Sequence, residues 1–390
     1  MINRSISNRI KKIYRKMPVT AILGPRQSGK TTLAKTLFEN YTYYNLELPD
    51  VRAFAKEDPR SLLSVTTGGI ILDEIQHAPE LLSYIQGLVD ESGKMGKYII
   101  TGSQNFLLME AISQSLAGRV AVFNLLPFSM DEMRTSAFAA KNPDLQIYKG
   151  FYPPIYTRKL KNQDWLPSYI KTYIERDVRK IINIQDLHKF HLFLKLCAGR
   201  IGQLINYESF SNEIGVDGKT LKRWMGILEA SYIIFLLQPH HINYNKRLVK
   251  TPKLYFYDTG LACNLLGLQS ADDVSIHFMK GSLFENLIIA ELLKYAANNS
   301  QPYNIYFWRD NTGNEIDCLL EKNSKLFPIE IKAGKTLNTD YFKGLNFYAK
   351  TSGLDPKQSF LIYGGNEIQN RNTGHVLPWN NLDLLFKKIK

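Results

Sequence analysis

The chain is poor in cysteine, with only Cys197, Cys263 and Cys318 among 390 residues. None stands at a paired spacing from another, which argues against a disulfide framework and a zinc knuckle. A reducing cytoplasm fits that usage. Long apolar runs are missing too. The longest, "YIIFLL", is a strand's worth, far below the roughly 18 residues that span a bilayer. The basic N-terminus "MINRSISNRIKKIYRKMP" lacks the apolar stretch of a signal peptide. Its Ile2, Ile6, Ile10 and Ile13 recur at helical intervals and predict a helix packed on the first domain. The expectation is a cytoplasmic protein with no membrane role. Histidine offers two close pairs, His188/His191 and His240/His241, neither accompanied by other ligand types. No repeat is visible.

What is present points to a folded chain of two or three domains: 44% of residues are hydrophobic, with 22 Tyr and 20 Phe. The formal charge is +13. Residues 1–150 carry 18 basic and 14 acidic groups, residues 151–275 carry 17 and 11, and residues 276–390 carry 14 and 11. The middle stretch is the most basic for its length, which suits a polyanion partner, nucleic acid first.

Residues 19–125 alternate short apolar runs with helical stretches, the pattern of a parallel sheet: "VTAILG", "YTYYNLE", "GGIILDE", "KYIITGS" and "VAVFNLL". A stretch rich in Pro, Lys and Gly, "AAKNPDLQIYKGFYPPIYTRKLKNQD", marks a boundary. The expected domains are therefore 1–150, 151–275 and 276–390.

"AILGPRQSGKTTLAKTLF" is the strongest signal. Gly24, Gly29, Lys30 and Thr31 match G-x-x-x-x-G-K-[ST], between a strand and an amphipathic helix. Backbone N–H groups from Gly24, Pro25, Arg26, Gln27, Ser28, Gly29, Lys30, Thr31 and Thr32, less that of the proline, would surround the phosphates of ATP. Lys30 would reach the β/γ-phosphates and Thr31 the Mg²⁺. Downstream, "GGIILDEIQ" ends in Asp73, expected in the Mg²⁺ shell, and Glu74, expected to polarise the attacking water. The next strand ends in Thr101, Ser103 and Gln104, one of which can sense the γ-phosphate. Arg119 in "SLAGRV" is either an arginine finger acting on a neighbouring subunit or half of a surface ion pair.

The order "GPRQSGKT", "ILDEIQ", "ITGSQ", "SLAGR", "LLPFSMDE" resembles the archaeal-type AAA+ P-loop ATPases, which carry a companion C-terminal domain of unknown function. Matching stretches run through nearly the whole chain, including "GFYPPIY", "LYFYDTGLACNLLG", "GSLFENLIIAEL" and "PIEIKAGK". The resemblance implies an α/β N-terminal domain built on a parallel sheet with helices, and nucleotide chemistry.

The basic middle has a helix–turn–helix look. A short helix near Phe210–Ile214 breaks at Gly215, and Asp217 can cap a second helix. That helix presents Leu221, Trp224, Met225 and Leu228 on one face, with Lys219, Lys222 and Arg223 on the other side. The strands "YIIFLLQ" and "KLYFYD" follow, joined by a loop with Lys246, Arg247 and Lys250. Together they suggest a winged helix with cations for DNA phosphates, or a module that docks a protein. The helix of "YIERDVRK" carries Arg176 and Arg179, and Arg176 can instead reach a nucleotide or a subunit partner.

The last third reads αβββαβ, an order that resembles the PD-(D/E)XK nuclease superfamily and implies a restriction-endonuclease-like α/β domain. By that resemblance Asp317 is the motif aspartate, preceded by Ile316 where the family has proline. Glu330 and Lys332 are its E-x-K, and Glu285 an auxiliary carboxylate. Asp317 and Glu330 on adjacent strands can share a divalent metal, and Lys332, two residues beyond Glu330, stays on its face. The leading expectation is an Mg²⁺-dependent, oligomeric ATPase that binds DNA through its C-terminal half. The alternatives are an ATP-regulated, metal-dependent DNA endonuclease and a nucleotide-switched protein-binding module.

Overall fold

A computed structural model describes residues 2–64, 68–103, 106–134, 136–174, 186–240, 251–299 and 304–389. The chain forms two compact units. One comprises Met1–Phe128 with Gly226–Ile233 and Ala297–Ser300; the other comprises Ser129–Met225, Ile234–Ala296 and Gln301–Lys390.

In the first unit the five apolar runs become strands: β1 (Val19–Gly24), β2 (Thr42–Asn45), β3 (Ile70–Asp73), β4 (Tyr98–Ser103) and β5 (Val120–Asn124). They form one sheet in the order β2-β3-β4-β1-β5, with every pair parallel. A parallel sheet needs cover on both faces. On one face Ile6 and Ile10, at the start of and within α1 (Ser7–Ile13), pack in a cluster with Ile22, Leu33, Ile99 and Phe123. On the other, Leu82, Ile85 and Val89 of α3 (Leu81–Ser92) join Leu23, Leu72 and Ile100. Between these helices in sequence, α2 (Lys30–Leu37) follows the glycine-rich loop. Because β4 lies between β1 and β3, the carboxyl ends of all three strands meet along one edge, where open α/β sheets bind ligands.

In the second unit the stretch read as a boundary is packed structure. It holds short helices at Pro143–Lys149 and Pro153–Thr157, each with proline in its first turn, where a missing N–H does no harm. Phe151 and Tyr152 between them are buried. Asp258 explains the folding back: its carboxylate caps α7 (Thr259–Leu265) through Leu261 N at 2.9 Å and accepts from Phe151 N at 2.6 Å. Helices α4 (Leu187–Gly199), α5 (Tyr207–Ile214) and α6 (Gly218–Ala230) precede the antiparallel pair β6 (Ile234–Leu237) and β7 (Lys253–Phe256). Trp224 meets Phe190 and Phe193 at ring distances of 5.3 and 5.5 Å. Asp217 caps α6 as expected, accepting from Lys219 N and Thr220 N at 2.9 Å.

After α8 (Lys280–Asn299) comes a six-stranded sheet in the order β12-β13-β11-β10-β9-β8. Strands β8 (Asn304–Arg309), β9 (Glu315–Lys322) and β10 (Lys325–Lys332) are antiparallel neighbours. Helix α9 (Lys343–Ser352) leads to β11 (Phe360–Tyr363), which pairs parallel with β10. The expected αβββαβ order is therefore present. The edge strands β12 (Gln369–Arg371) and β13 (Gly374–Pro378) extend it.

Candidate functional site

The phosphate-loop residues converge. Gly24 adopts φ +151°, and a Cβ there would overlap the Leu125 carbonyl; Gly29, at φ +94°, turns the chain into α2. Only glycine suits both demands. Lys30 is buried, and its ammonium donates to its own loop carbonyls, Gly24 O at 3.1 Å and Pro25 O at 2.9 Å. Burial pulls its pKa down, against the opposing charges of Glu74 and Asp73. The Ser28 hydroxyl is fully buried in the loop and has no hydrogen-bond partner among the described residues.

Asp73, at the end of β3, gathers three hydroxyls. Thr31 Oγ1 donates at 2.9–3.0 Å, Tyr43 OH at 2.7 Å, and Thr101 Oγ1 also donates to it. Glu74 sits in the left-handed region at φ 57°, uncommon for a side-chain-bearing residue. Its carboxylate accepts from Ser103 Oγ at 3.1 Å and from Gln76 Nε2. Burial would raise its pKa, yet Lys30, Gln76, Arg26 and Ser103 together hold it below the usual value. Glu74 therefore stays ionised and aimed beside the loop. Arg26 lies 3.9 Å from Glu47, and Gln27 also has positive φ, 63°.

Arg119 stands apart from this cluster. Val19 pairs with Val120, so Arg119 lies at the amino end of β1, whereas the loop leaves the carboxyl end. Five residues of strand put them roughly 16 Å apart. Its guanidinium grips Asp90 of α3 twice, at 2.6 and 2.9 Å.

The second unit brings Asp317, Glu330 and Lys332 together. Lys332 Nζ lies 2.6 Å from Glu330 Oε2 and 3.2 Å from Asp317 Oδ2, which also accepts from Ile331 N at 2.8 Å. The alternating pattern of β10 suggests a water face, but Ile329, Glu330 and Ile331 are all buried, because β9, β11 and α9 enclose the strand. Gly344 on α9 lies so close that a Cβ would overlap Glu330 Oε1. Burial and the Asp317 charge drive the Glu330 carboxyl well above its usual range. Burial works against the Lys332 charge, but the two carboxylates keep it protonated. Glu285 of α8 belongs to the same charge cluster: burial, then Asp317, push it up to about 7. It accepts from Tyr255 OH, and from Lys253 Nζ at 3.4 Å; the Lys253 ammonium also pairs with Glu315. Among the described residues, no group of three or more His, Cys, Asp or Glu is arranged to hold a metal ion. Lys332 and Lys253 are the cations that these acidic side chains face.

Lys219, Lys222 and Arg223 are exposed on α6, as expected. The Lys222 ammonium lies 5.6 Å above the Tyr207 ring. Gln104, Arg176, Arg179, Lys246, Arg247 and Lys250 lie outside the described residues.

Comparison with known proteins divides the chain in three. Residues 16–134 match the family model described as AAA domain. Residues 141–272 and 280–382 match two described as domains of unknown function, DUF8612 and DUF4143. The first unit carries an AAA-type P-loop ATPase fold. The chain is 29% identical over 338 residues to uncharacterized protein Rv2008c of Mycobacterium tuberculosis, spanning 85% of this chain and 74% of that one. It is 23% identical over 353 residues to uncharacterized protein MJ1637 of Methanocaldococcus jannaschii, spanning 81% and 70%. Among solved structures, the Walker-type ATPase PABY2304 of Pyrococcus abyssi is similar at 16% identity, covering 68% of this chain and 96% of that chain, with a TM-score of 0.37.

Two residues of the candidate site escape motif reading. Tyr43, from β2, reaches Asp73 across the sheet; burial and that bond raise its pKa. Arg4 donates to Ser28 O at 2.7 Å and Leu126 O at 2.6 Å. Their signals in sequence are a tyrosine in a strand and an arginine in a basic leader, neither distinctive. No described helix is long and apolar enough to cross a membrane.

Proposed function

We propose that this protein is an Mg²⁺-dependent ATPase whose second unit binds DNA. The observation that carries the nucleotide half is the convergence of Lys30, Thr31, Asp73 and Glu74 on one loop. The Lys30 ammonium, now on Gly24 O and Pro25 O, would exchange those carbonyls for β/γ-phosphate oxygens. The buried Ser28 hydroxyl, without a partner among the described residues, and the loop N–H groups supply further donors. The Thr31 hydroxyl and the Asp73 carboxylate, 2.9–3.0 Å apart, offer the hard oxygen ligands that suit Mg²⁺. When bound there, the ion offsets charge on the β/γ-phosphates. Glu74, kept ionised by Lys30 and Gln76, orients and polarises the attacking water, and Ser103 steadies its carboxylate. The exposed Lys219, Lys222 and Arg223 on α6, behind an Asp217-capped helix start, support a winged-helix reading and contact with DNA phosphates. In an assembled homo-oligomer, Arg119 would act in trans only by leaving Asp90.

The test is ATP hydrolysis by the full chain with and without Mg²⁺, and DNA binding across a salt series. No Mg²⁺-stimulated hydrolysis refutes the first half. DNA binding that is absent or indifferent to salt refutes the second, because phosphate contacts weaken as salt rises; it favours a protein-docking role for the winged helix.

A second reading is favoured by one observation, the meeting of Asp317, Glu330 and Lys332. It is the chemistry of a metal-dependent nuclease in a nuclease-like domain of residues 276–390, with Glu285 as a further carboxylate. DNA incubated with Mg²⁺ or Mn²⁺ and the wild type, Asp317→Ala or Glu330→Ala decides it: equal cutting by all three dismisses the site.

A further inference from the structure

We propose that Arg4, outside every recognised motif, is a positioning residue for the nucleotide loop, presetting the peptide between Ser28 and Gly29. The proposal rests on the ATP-binding reading above. The half-buried Arg4 guanidinium spans two carbonyls, Ser28 O at 2.7 Å and Leu126 O at 2.6 Å, and its centre lies 5.0 Å above the Phe128 ring. Its fork thus ties the loop to the segment that follows β5. A planar trans peptide points its C=O and its following N–H in opposite directions. Holding Ser28 O towards Arg4 therefore turns Gly29 N–H away from Arg4, the sense needed for a donor facing phosphate. Gly29 sits at φ +94°, where a glycine is free to swing, so an outside brace has something to restrain. The same guanidinium passes within 3.8 Å of where a Gly29 Cβ would stand. A fixed positive charge at this place also favours a polyanionic ligand without touching it.

Arg4 is itself held. Ile6 and Ile10, two and six residues on, are fully buried against the sheet. The short N-terminal helix thus acts as the anchor, and the arginine as the brace that it delivers.

The experiment titrates the full chain with a fluorescent ATP analogue and, separately, melts it without nucleotide, for wild type, Arg4→Lys and Arg4→Gln. Arg4→Gln is expected to weaken analogue binding about tenfold or more, the loss of a charged two-carbonyl grip. Arg4→Lys, which keeps the charge but not the fork, should recover part of it. The nucleotide-free melting temperature should not track these affinities. Binding by both variants within twofold of wild type overturns the proposal, as does a loss of affinity that simply follows a fall in nucleotide-free stability. If Arg4→Gln fails to fold, Arg4→Lys alone decides on the same criteria. A wild type that binds no analogue overturns the ATP reading instead.

Discussion

Replacing Lys30 with methionine separates binding energy from folding energy. In the wild type the ammonium is buried and satisfied by two loop carbonyls at 2.9 and 3.1 Å. Handing those two bonds to phosphate makes two contacts between opposite charges, worth roughly 1.5–3 kcal/mol each. Losing both costs about 3–6 kcal/mol, or roughly 10²- to 10⁴-fold in ATP affinity. Stability without nucleotide follows different arithmetic. Methionine keeps the apolar stem and relieves a charge that burial disfavours, while Gly24 O and Pro25 O lose a donor. These effects oppose one another at about 1–3 kcal/mol each, so the nucleotide-free protein should melt near the wild-type temperature. ATP at a hundredfold excess over the wild-type Kd should stabilise the wild type by about 2.7 kcal/mol and the variant by about 0.4 kcal/mol at most. Differential scanning fluorimetry with and without Mg²⁺-ATP reads both quantities. A Lys30→Met protein that keeps the wild-type nucleotide shift refutes the phosphate role. A large fall in nucleotide-free melting assigns Lys30 to structure.

Gly24→Ala places a Cβ on the Leu125 carbonyl at a φ that L-residues avoid; it should cost more than about 3 kcal/mol in urea unfolding. Arg119→Ala should leave ATP affinity unchanged in a binding titration, since its partner is Asp90 and not the loop. Glu285 is raised from 4.5 to about 7 in the folded chain. Its contribution to stability is therefore full below about pH 4.5 and lost as pH rises through about 7. Glu285→Gln should flatten the pH dependence of unfolding over that window. The change is on the order of 3 kcal/mol at most. An unaltered slope would show that the carboxylates do not share one field.

The AAA domain's sheet was legible because each strand is a short apolar run closed by a polar or glycine residue, and the loop because its glycines meet needs that other residues cannot. Asp73 and Glu74 were legible for the same reason, at the carboxyl end of an apolar strand. The contacts that cross the fold were not. Tyr43 and Arg4 reach the site through β2 and the N-terminal leader, and spacing along a chain carries no trace of such meetings. At Glu330 the face shared with Lys332 was legible from the period of two, but its depth was not, because β9, β11 and α9 enclose the strand. Lys253 read as an ordinary strand start in "KTPKLYFYD", yet it is the buried counter-charge of Glu285 and Glu315.

The continuation of β6 has a practical outcome for anyone dissecting this chain. Phe307 N donates to Gln238 O and His240 N to Phe307 O, so the end of the hairpin is stitched into β8. Asn286 adds a second stitch, its amide exchanging two bonds of 2.7 Å with the Phe256 backbone. Severing the polypeptide between residues 272 and 280, where two of the matched families part, would leave both seams bare. Raw strand margins invite self-association, so fragments cut there should precipitate, whereas a piece keeping residues 129–390 together would retain them closed.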